Sequence, residues 1–390
     1  MFVRFFALVL MQLWLFFVGA ASGSIIPAPP QLSAEAYILI DGRTGKVLAN
    51  YNSSQRLPPA SLTKIMTGYI GALQIQNNLI SLSDYVPVSV KAWRMKGSLM
   101  FIQEGTKVKL EDLMRGIIIQ SGNDASVALA EYIAGGEDVF ADLMNKHAIR
   151  LGMLNTNFVN ATGWPHEDHY TSAQDLAILT KELIGNFPEH YKMYSEKSFT
   201  YNGISQRNRN TLLFRDKTVD GVKTGHTEAA GYCLISSSAR DGMRLITVVM
   251  GATSKAIRAE ESQKLLAYGF RYYDTVDLYR SNESLRKARI WNGMHNTINL
   301  GLTEDIVVTV PDGSVGDLVA NLEIDSEIKA PLREGQELGS LSVFLGEEEI
   351  LAVPLVALNS VEEAGIFRRF WDTIHLFFVR LFGGDPLRAE

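Results

Sequence analysis

The chain of 390 residues is 46% apolar and 21% charged, which suits a folded core and excludes a disordered or low-complexity protein. Its 37 Lys and Arg against 43 Asp and Glu leave a net charge of -6, the wrong sign for wrapping nucleic acid. A single cysteine, Cys233, excludes an intramolecular disulfide framework and any structural zinc site with two or more cysteine ligands.

Met1 to Ala20 reads as a cleaved secretory signal, with one cation, Arg4, then an apolar run from Phe5 to Val18 broken only by Gln12, then Gly19-Ala20. The run is shorter than the roughly 20 residues a bilayer span needs, which argues against an uncleaved anchor. The rest of the chain is therefore expected to work outside the cytoplasm. After the Pro27 to Pro30 leader, Ala36–Ile40 and a run through Val47 are predicted strands, turned at Asp41-Gly42 and Gly45. From Ser61 to about Thr180 the apolar period is helical, at Ile65–Leu73, Leu113–Ile119, Ala125–Ile133 and Leu176–Leu183. Strand patterns return at Thr218–Lys223, Tyr232–Ser237 and Leu245–Met250, the last two joined by Asp241-Gly242, and a helix over about Ala256–Tyr268 follows. These elements predict an α/β (α+β) domain over 31–280, an antiparallel sheet completed from both sides of a helical subdomain.

From Ser281 to about Leu358 the texture changes to short alternating runs, Ile306–Val310, Leu318–Ile324, Leu341–Leu345 and Ile350–Leu355, which predict a small all-β domain over 281–358. Beyond it, over 363–383, Phe367, Phe370, Trp371, Ile374, Phe377, Phe378, Leu381 and Phe382 recur on one helical face, with Arg368, Arg369, Asp372, His375 and Arg380 opposite. So charged a helix does not span a bilayer, but it can lie in the interface as a membrane anchor.

Three short motifs can carry chemistry. Ser61-Leu62-Thr63-Lys64 places a hydroxyl and an amine on one face at a helix start, where a partly buried lysine can serve as base for a serine nucleophile. Ser121-Gly122-Asn123 lies between helical stretches and offers a hydroxyl and a carboxamide, although alone it is also ordinary capping chemistry for a helix over Asp124 to Ile133. Lys223-Thr224-Gly225, at the end of a predicted strand and before His226, suits a carboxylate, with Gly225 allowing a ligand close to the backbone.

The trio in this order and context is similar to the penicillin-binding protein and serine β-lactamase superfamily. Ser121-Gly122-Asn123, the secretory signal, the β-rich domain and the terminal helix resemble the low-molecular-mass D-alanyl-D-alanine carboxypeptidases in particular. The resemblance implies a β-lactamase/transpeptidase-like fold and a cofactor-free, metal-free serine acyl-transfer enzyme. Its substrate would be the peptidoglycan pentapeptide, with β-lactam antibiotics as covalent inhibitors. It further implies Ser61 as nucleophile, Lys64 as base and Ser121 as proton relay. Asn123 would hold the peptide amide; Lys223, Thr224 and Gly225 would bind substrate beside the backbone N–H of His226; and Arg258 would help fix the terminal carboxylate. The location implied is the periplasm, on the inner membrane through the terminal helix, with no nucleic-acid partner. Alternatives are a β-lactamase or DD-endopeptidase on the same fold, or an idle muropeptide-binding protein. His166-Glu167-Asp168-His169 lacks the spacing of a helical zinc site, and Cys233 reads as a buried apolar residue.

Overall fold

A computed structural model describes residues 26–388, so the signal read in Met1 to Ala20 lies outside the described residues. Strands β1 (Ala36–Asp41) and β2 (Val47–Tyr51) form the expected N-terminal hairpin. The helical block then runs through α1 (Lys64–Gln76), the hairpin β3 (Tyr85–Pro87) and β4 (Lys107–Lys109) around the short α2 (Val90–Trp93), then α3 (Leu110–Arg115), α4 (Asn123–Ala134), α5 (Glu137–Arg150), α6 (Ala173–Asn186) and α7 (Pro188–Tyr191). A small hairpin, β5 (Ser198–Tyr201) and β6 (Ile204–Arg207), and one turn, α8 (Leu212–Arg215), lead to β7 (Val219–Thr227), β8 (Gly231–Arg240), β9 (Met243–Ala252) and α9 (Lys255–Tyr272).

The sheet has the order β2-β1-β9-β8-β7 and is antiparallel throughout, so chain segments from both sides of the helical block complete it. Both faces are covered. Ile38, Ile40, Ile235, Ile246, Val248 and Met250 point into the core shared with the helical block, whereas Leu39, Leu234, Leu245 and Val249 point into the core under α9. The period-two alternation of a strand thus divides its apolar residues between two cores. Strand β7 is left at an edge, beside the turn that leads into α1.

Two stretches differ from the sequence expectation. The apolar run Leu113–Ile119 is not one helix: α3 ends at Arg115 and a wider π-helical turn, Gly116–Gln120, delivers Ser121 with φ at +66°. Helix α5 is not foreshadowed by the apolar period, because Phe140, Ala141, Met144 and Ala148 form only a narrow buried stripe among charges.

The second unit contains β10 (Tyr273–Tyr279), β11 (Arg286–Arg289), β12 (Thr297–Gly301), β13 (Ile306–Pro311), β14 (Leu318–Ile324), β15 (Glu337–Leu345) and β16 (Glu348–Ala357). One sheet runs β11-β12-β16-β15-β14, and β10 pairs separately with β13, so the change of sheet comes ahead of residue 281. The β1–β2 turn ties the units together: Arg43 pairs with Asp277, and Lys46 Nζ donates to the Thr309 carbonyl at 3.0 Å. Helix α10 (Ile366–Leu381) lies inside the predicted 363–383 segment. No helix among the described residues is long and apolar enough to cross a membrane.

The segment before α6 is stitched to the start of α1. Leu57 and Thr171 exchange two backbone hydrogen bonds, at 2.8 and 3.0 Å, and Gly163, with φ at +80°, packs directly on the Ala60 carbonyl. A Cβ at residue 163 would stand 1.7 Å from that oxygen. Gly163→Ala is therefore expected to destabilise the fold by about 3 kcal/mol, through clash and left-handed strain together. Thermal unfolding of the variant beside the parent chain measures this directly.

Candidate active site

Ser61 sits in a 3-10 turn, Ala60–Thr63, that runs straight into α1, so Lys64 follows on the same face one turn later. The Lys64 side chain is fully buried. Its Nζ lies 3.2 Å from Ser61 Oγ, 2.7 Å from Asn123 Oδ1 and 2.5 Å from the Thr162 carbonyl oxygen. Burial, reinforced by the positive charge of Arg209, pushes the Lys64 ammonium down to about 7, against the opposing pull of Asp124 and Glu137. A neutral amine carries two N–H donors and one lone pair. Asn123 Oδ1 and the Thr162 carbonyl can only accept, so they take both donors and leave the lone pair for the Ser61 hydroxyl proton.

The orientation of Asn123 is itself specified. Its Nδ2 donates to the Lys96 carbonyl at 2.6 Å, which turns Oδ1 toward Lys64. Gly122, rather than Ser121 or Asn123, occupies the capping position of α4, with no side-chain cap, so both polar side chains are released to the site. Asp124 braces the loop they face: its carboxylate accepts the backbone N–H of Met100 and of Phe101 at 2.8 Å and of Ile102 at 3.2 Å.

The third motif lies within β7 rather than at the end of a strand, since the strand continues to Thr227. Lys223 Nζ donates to Ser121 Oγ at 2.8 Å, and burial, followed by the charges of Lys64, Arg209 and Arg258, pushes this ammonium well below its usual range. Gly225 is required by the chain itself: a Cβ there would meet the Pro59 carbonyl oxygen at 3.0 Å, Leu62 Cγ at 3.2 Å and Ala60 Cβ at 3.3 Å. The missing side chain lets β7 close on the Ser61 turn.

Ser61, Ser121, Thr224, Gly225, His226 and Arg258 line one open cleft of about 880 Å³, with Lys64, Asn123 and Lys223 hydrogen-bonded at its floor. The residues of the three motifs, with His226 and Arg258, therefore converge. Residues 24–254 match the family model described as D-alanyl-D-alanine carboxypeptidase, and residues 273–363 match that of the penicillin-binding protein 5 C-terminal domain. The chain belongs to the D-alanyl-D-alanine carboxypeptidase family. It is 41% identical over 379 residues to D-alanyl-D-alanine carboxypeptidase DacC of Escherichia coli, covering 95% of each chain. The structure is similar to penicillin binding protein 5 from Haemophilus influenzae, with TM-score 0.82, 40% identity, and 86% of this chain and 100% of that one covered. It is also similar to penicillin-binding protein D2 from Listeria monocytogenes in its ampicillin-bound form, with TM-score 0.58 and 30% identity over 63% of this chain and 100% of that one. Family membership makes the protein a serine peptidase and bears out the resemblance carried by the three motifs.

The cleft also contains what sequence reasoning missed. Arg207, Arg209, Arg215 and Lys255 join Arg258 on its walls, and among the described residues no carboxylate lines it. Arg209 is aimed by its neighbours: Asn208 Nδ2 donates to the Glu196 carbonyl at 3.0 Å and Asn210 Nδ2 to the Gly221 carbonyl at 2.8 Å. The Asn-Arg-Asn run was the available signal. Arg258 is buried rather than solvated, and its Nη1 donates to the carbonyls of Gly225 at 3.0 Å and Cys233 at 3.3 Å, bracing β7 against β8. Burial lowers its guanidinium to about 10 and raises the Cys233 thiol to about 11, which leaves that cysteine an inert core residue.

The histidine-rich segment is structural in part. His169 Nδ1 accepts the Val159 N–H at 3.1 Å, so its Nε2–H donates to Thr63 Oγ1 at 2.8 Å, and burial holds this imidazole neutral down to about pH 4. Glu167 lines a neighbouring cavity, not the cleft that contains Ser61. Among the described residues no group of three His, Cys, Asp or Glu is placed to hold a metal ion.

Because Lys64 must be neutral to accept a proton, acylation of the protein by penicillin is expected to rise with pH through about 7 and to fall below it. Stopped-flow acylation rates across pH 5 to 9 test the sign. A rate that falls as the pH rises through this range would remove Lys64 as the base.

Proposed function

We propose that the protein removes the terminal D-alanine from peptidoglycan pentapeptides through an acyl-enzyme on Ser61, and that β-lactams acylate the same oxygen. The observation that carries this reading is the lone pair of Lys64 Nζ, 3.2 Å from Ser61 Oγ with both of its N–H groups already committed. Ser61 Oγ attacks the penultimate D-alanine carbonyl as its proton moves to Lys64. The backbone N–H groups of Ser61 and His226 are assigned to the oxyanion, at about 3 kcal/mol per donor. As the C–N bond breaks, Ser121 passes its proton to the leaving amine and takes over the one that Lys64 accepted from Ser61, with Lys223 Nζ 2.8 Å from Ser121 Oγ to hold that hydroxyl in place. Thr224 and Arg209 receive the terminal carboxylate, supported by the field of Arg258. Asn123 keeps Lys64 placed and holds the peptide amide. Water then attacks the ester and frees the shortened peptide. Among the described residues no carboxylate lines the cleft to activate that water, so the β-lactam ester, which lacks a departing amine, is expected to persist.

The other parts fit a surface enzyme. We assign the unit that ends with α9 to catalysis, the β-rich unit from β10 to β16 to a spacer and 363–383 to attachment at the outer face of the inner membrane, with the enzyme in the periplasm. In α10, Asp372 accepts the Asn292 N–H at 2.9 Å, Arg380 pairs with Glu327 and Arg368 with Asn296, so the polar face is turned to the β-rich unit. The apolar face, with Phe367 87% and Trp371 67% exposed, is turned away from the protein. That arrangement suits burial in the lipid interface.

Ser61→Ala is expected to cut D-alanine release from a Lys-D-Ala-D-Ala peptide by at least about 10⁴-fold, with penicillin no longer retained covalently and the fold unchanged. Release at the parent rate would exclude Ser61 as nucleophile. In flotation with anionic phospholipid vesicles, the full chain is expected to rise with the lipid and a chain ending at Gly365 to stay below. Equal flotation of both would remove the anchor.

A further inference from the structure

The Ser61 N–H, which serves the oxyanion in the proposed reaction, belongs to the peptide that joins Ala60 to Ser61, and among the described residues nothing accepts it. A peptide unit is planar and trans, so whatever holds the Ala60 carbonyl also aims that N–H, in the opposite direction. The unit needs holding. Ala60 stands at φ +47°, in the left-handed region that a residue with a Cβ adopts only under constraint. Two contacts reach its carbonyl: Gly163 packs on the oxygen, and Thr63 Oγ1 donates to it at 2.9 Å.

Behind Thr63 stands a histidine that the reaction described above leaves unused. A hydroxyl has one hydrogen, and Thr63 spends it on Ala60, so its Oγ1 accepts from His169 Nε2 at 2.8 Å. His169 Nδ1 in turn accepts the Val159 N–H at 3.1 Å, which fixes the tautomer. The direction of donation is therefore set along the whole row, from Val159 to His169, from His169 to Thr63 and from Thr63 to the Ala60 carbonyl. Hydrogen bonds in such a row polarise one another. The bond accepted by the Ala60 oxygen draws electrons toward it and leaves the Ser61 N–H the stronger donor.

The row is also built to stay in place. Thr63 is fully buried and His169 only 3% exposed. The His169 ring meets Phe158 edge-on, with ring centres 5.8 Å apart, and Asn157 and Tyr170, which flank this pair in the chain, exchange backbone hydrogen bonds at 2.9 and 3.1 Å. Burial keeps the imidazole neutral down to about pH 4, so the row persists through the range near 7 in which Lys64 changes charge.

We propose that His169 is a positioning residue for acyl transfer: through Thr63 and the Ala60 carbonyl it aims and polarises the Ser61 N–H toward the oxyanion. This assignment rests on the acyl-enzyme reading. The same oxyanion site serves acylation and deacylation, so loss of the row slows both steps together and leaves KM in place.

The test follows D-alanine release from a Lys-D-Ala-D-Ala peptide and acylation by benzylpenicillin, with thermal unfolding to establish that each variant is folded. His169→Leu is expected to lower kcat about tenfold and to leave KM within about twofold. His169→Gln, which keeps an N–H donor and an oxygen acceptor, should stay within about threefold of the parent. Thr63→Val should match His169→Leu, and Thr63→Ser should match the parent. The double variant of Thr63→Val and His169→Leu should be no slower than either alone, because both cut one row. Penicillin acylation should fall in step with kcat while the midpoint of its pH profile stays where the parent has it. If His169→Leu does not fold, the Thr63 pair, in which valine conserves the shape of threonine, decides the same question. Equal losses in His169→Gln and His169→Leu, losses that multiply in the double variant, or a rise in KM with kcat unchanged overturn the proposal. A displaced pH midpoint also overturns it, because the variants would then be acting through Lys64. If penicillin acylates the parent chain but no D-alanine is released, the carboxypeptidase reading fails, and the penicillin rates still decide the part played by His169.

Discussion

The site depends on burying an amine whose charged form is penalised. Withdrawing an ammonium from water is costly unless it finds an anion, and Lys64 finds only two neutral oxygens and a hydroxyl at its Nζ. The fold answers this cost by lowering the ammonium to about 7, so the free amine that the serine requires as base is populated near neutral pH. Arg209 on the cleft wall pushes in the same direction. The charges that suit a substrate carboxylate therefore also help keep the base neutral, so binding and proton transfer draw on one electrostatic arrangement.

Holding that amine requires parts distant in the chain to approach closely. The Thr162 carbonyl comes from the loop packed on Ala60 through Gly163, and Asn123 comes from α4 through the turn that follows the π-helical stretch. Strand β7 brings Lys223 from the sheet, and Gly225 permits that approach. At Gly163 a methyl group has no room against the Ala60 carbonyl, and at Gly225 one would crowd the Ser61 turn. The Asp124 carboxylate and the Asn160 turn then stiffen the two loops that face each other across Ser61. Preorganisation of this kind lets weak donors and a weak nucleophile act together.

Away from the cleft, the second unit joins the first through the β1–β2 turn, and α10 is docked to that unit by its polar side chains. The usual arrangement of an amphipathic helix on a protein is reversed here. Ion pairs and backbone contacts face inward, and the aromatic face is left outward. Leu376 is the one buried residue of the helix, so hydrophobic burial against the protein does not explain its position.

Much of this was legible in the sequence, because the signals were local. Period-two strands, the Asp241-Gly242 turn, the helical block and the aromatic stripe of α10 are short-range patterns, and the Ser-x-x-Lys spacing places two groups on one helical face whatever surrounds them. The conjunction of three motifs in order pointed to the family for the same reason. Other features were tertiary. That Ser121 would leave a π-helical turn with positive φ, that Gly225 would face the chain rather than a ligand, and that Arg258 would spend a nitrogen on two carbonyls all depend on contacts across long stretches of chain. Arg209 offered only the Asn-Arg-Asn run around it, and its placement in a cleft that no described acid lines gives it a part. The sequence by itself determined which groups could react and which elements carry them. The tertiary structure alone decided their protonation and partners, because burial and long-range hydrogen bonds, not residue type, set the state of a lysine.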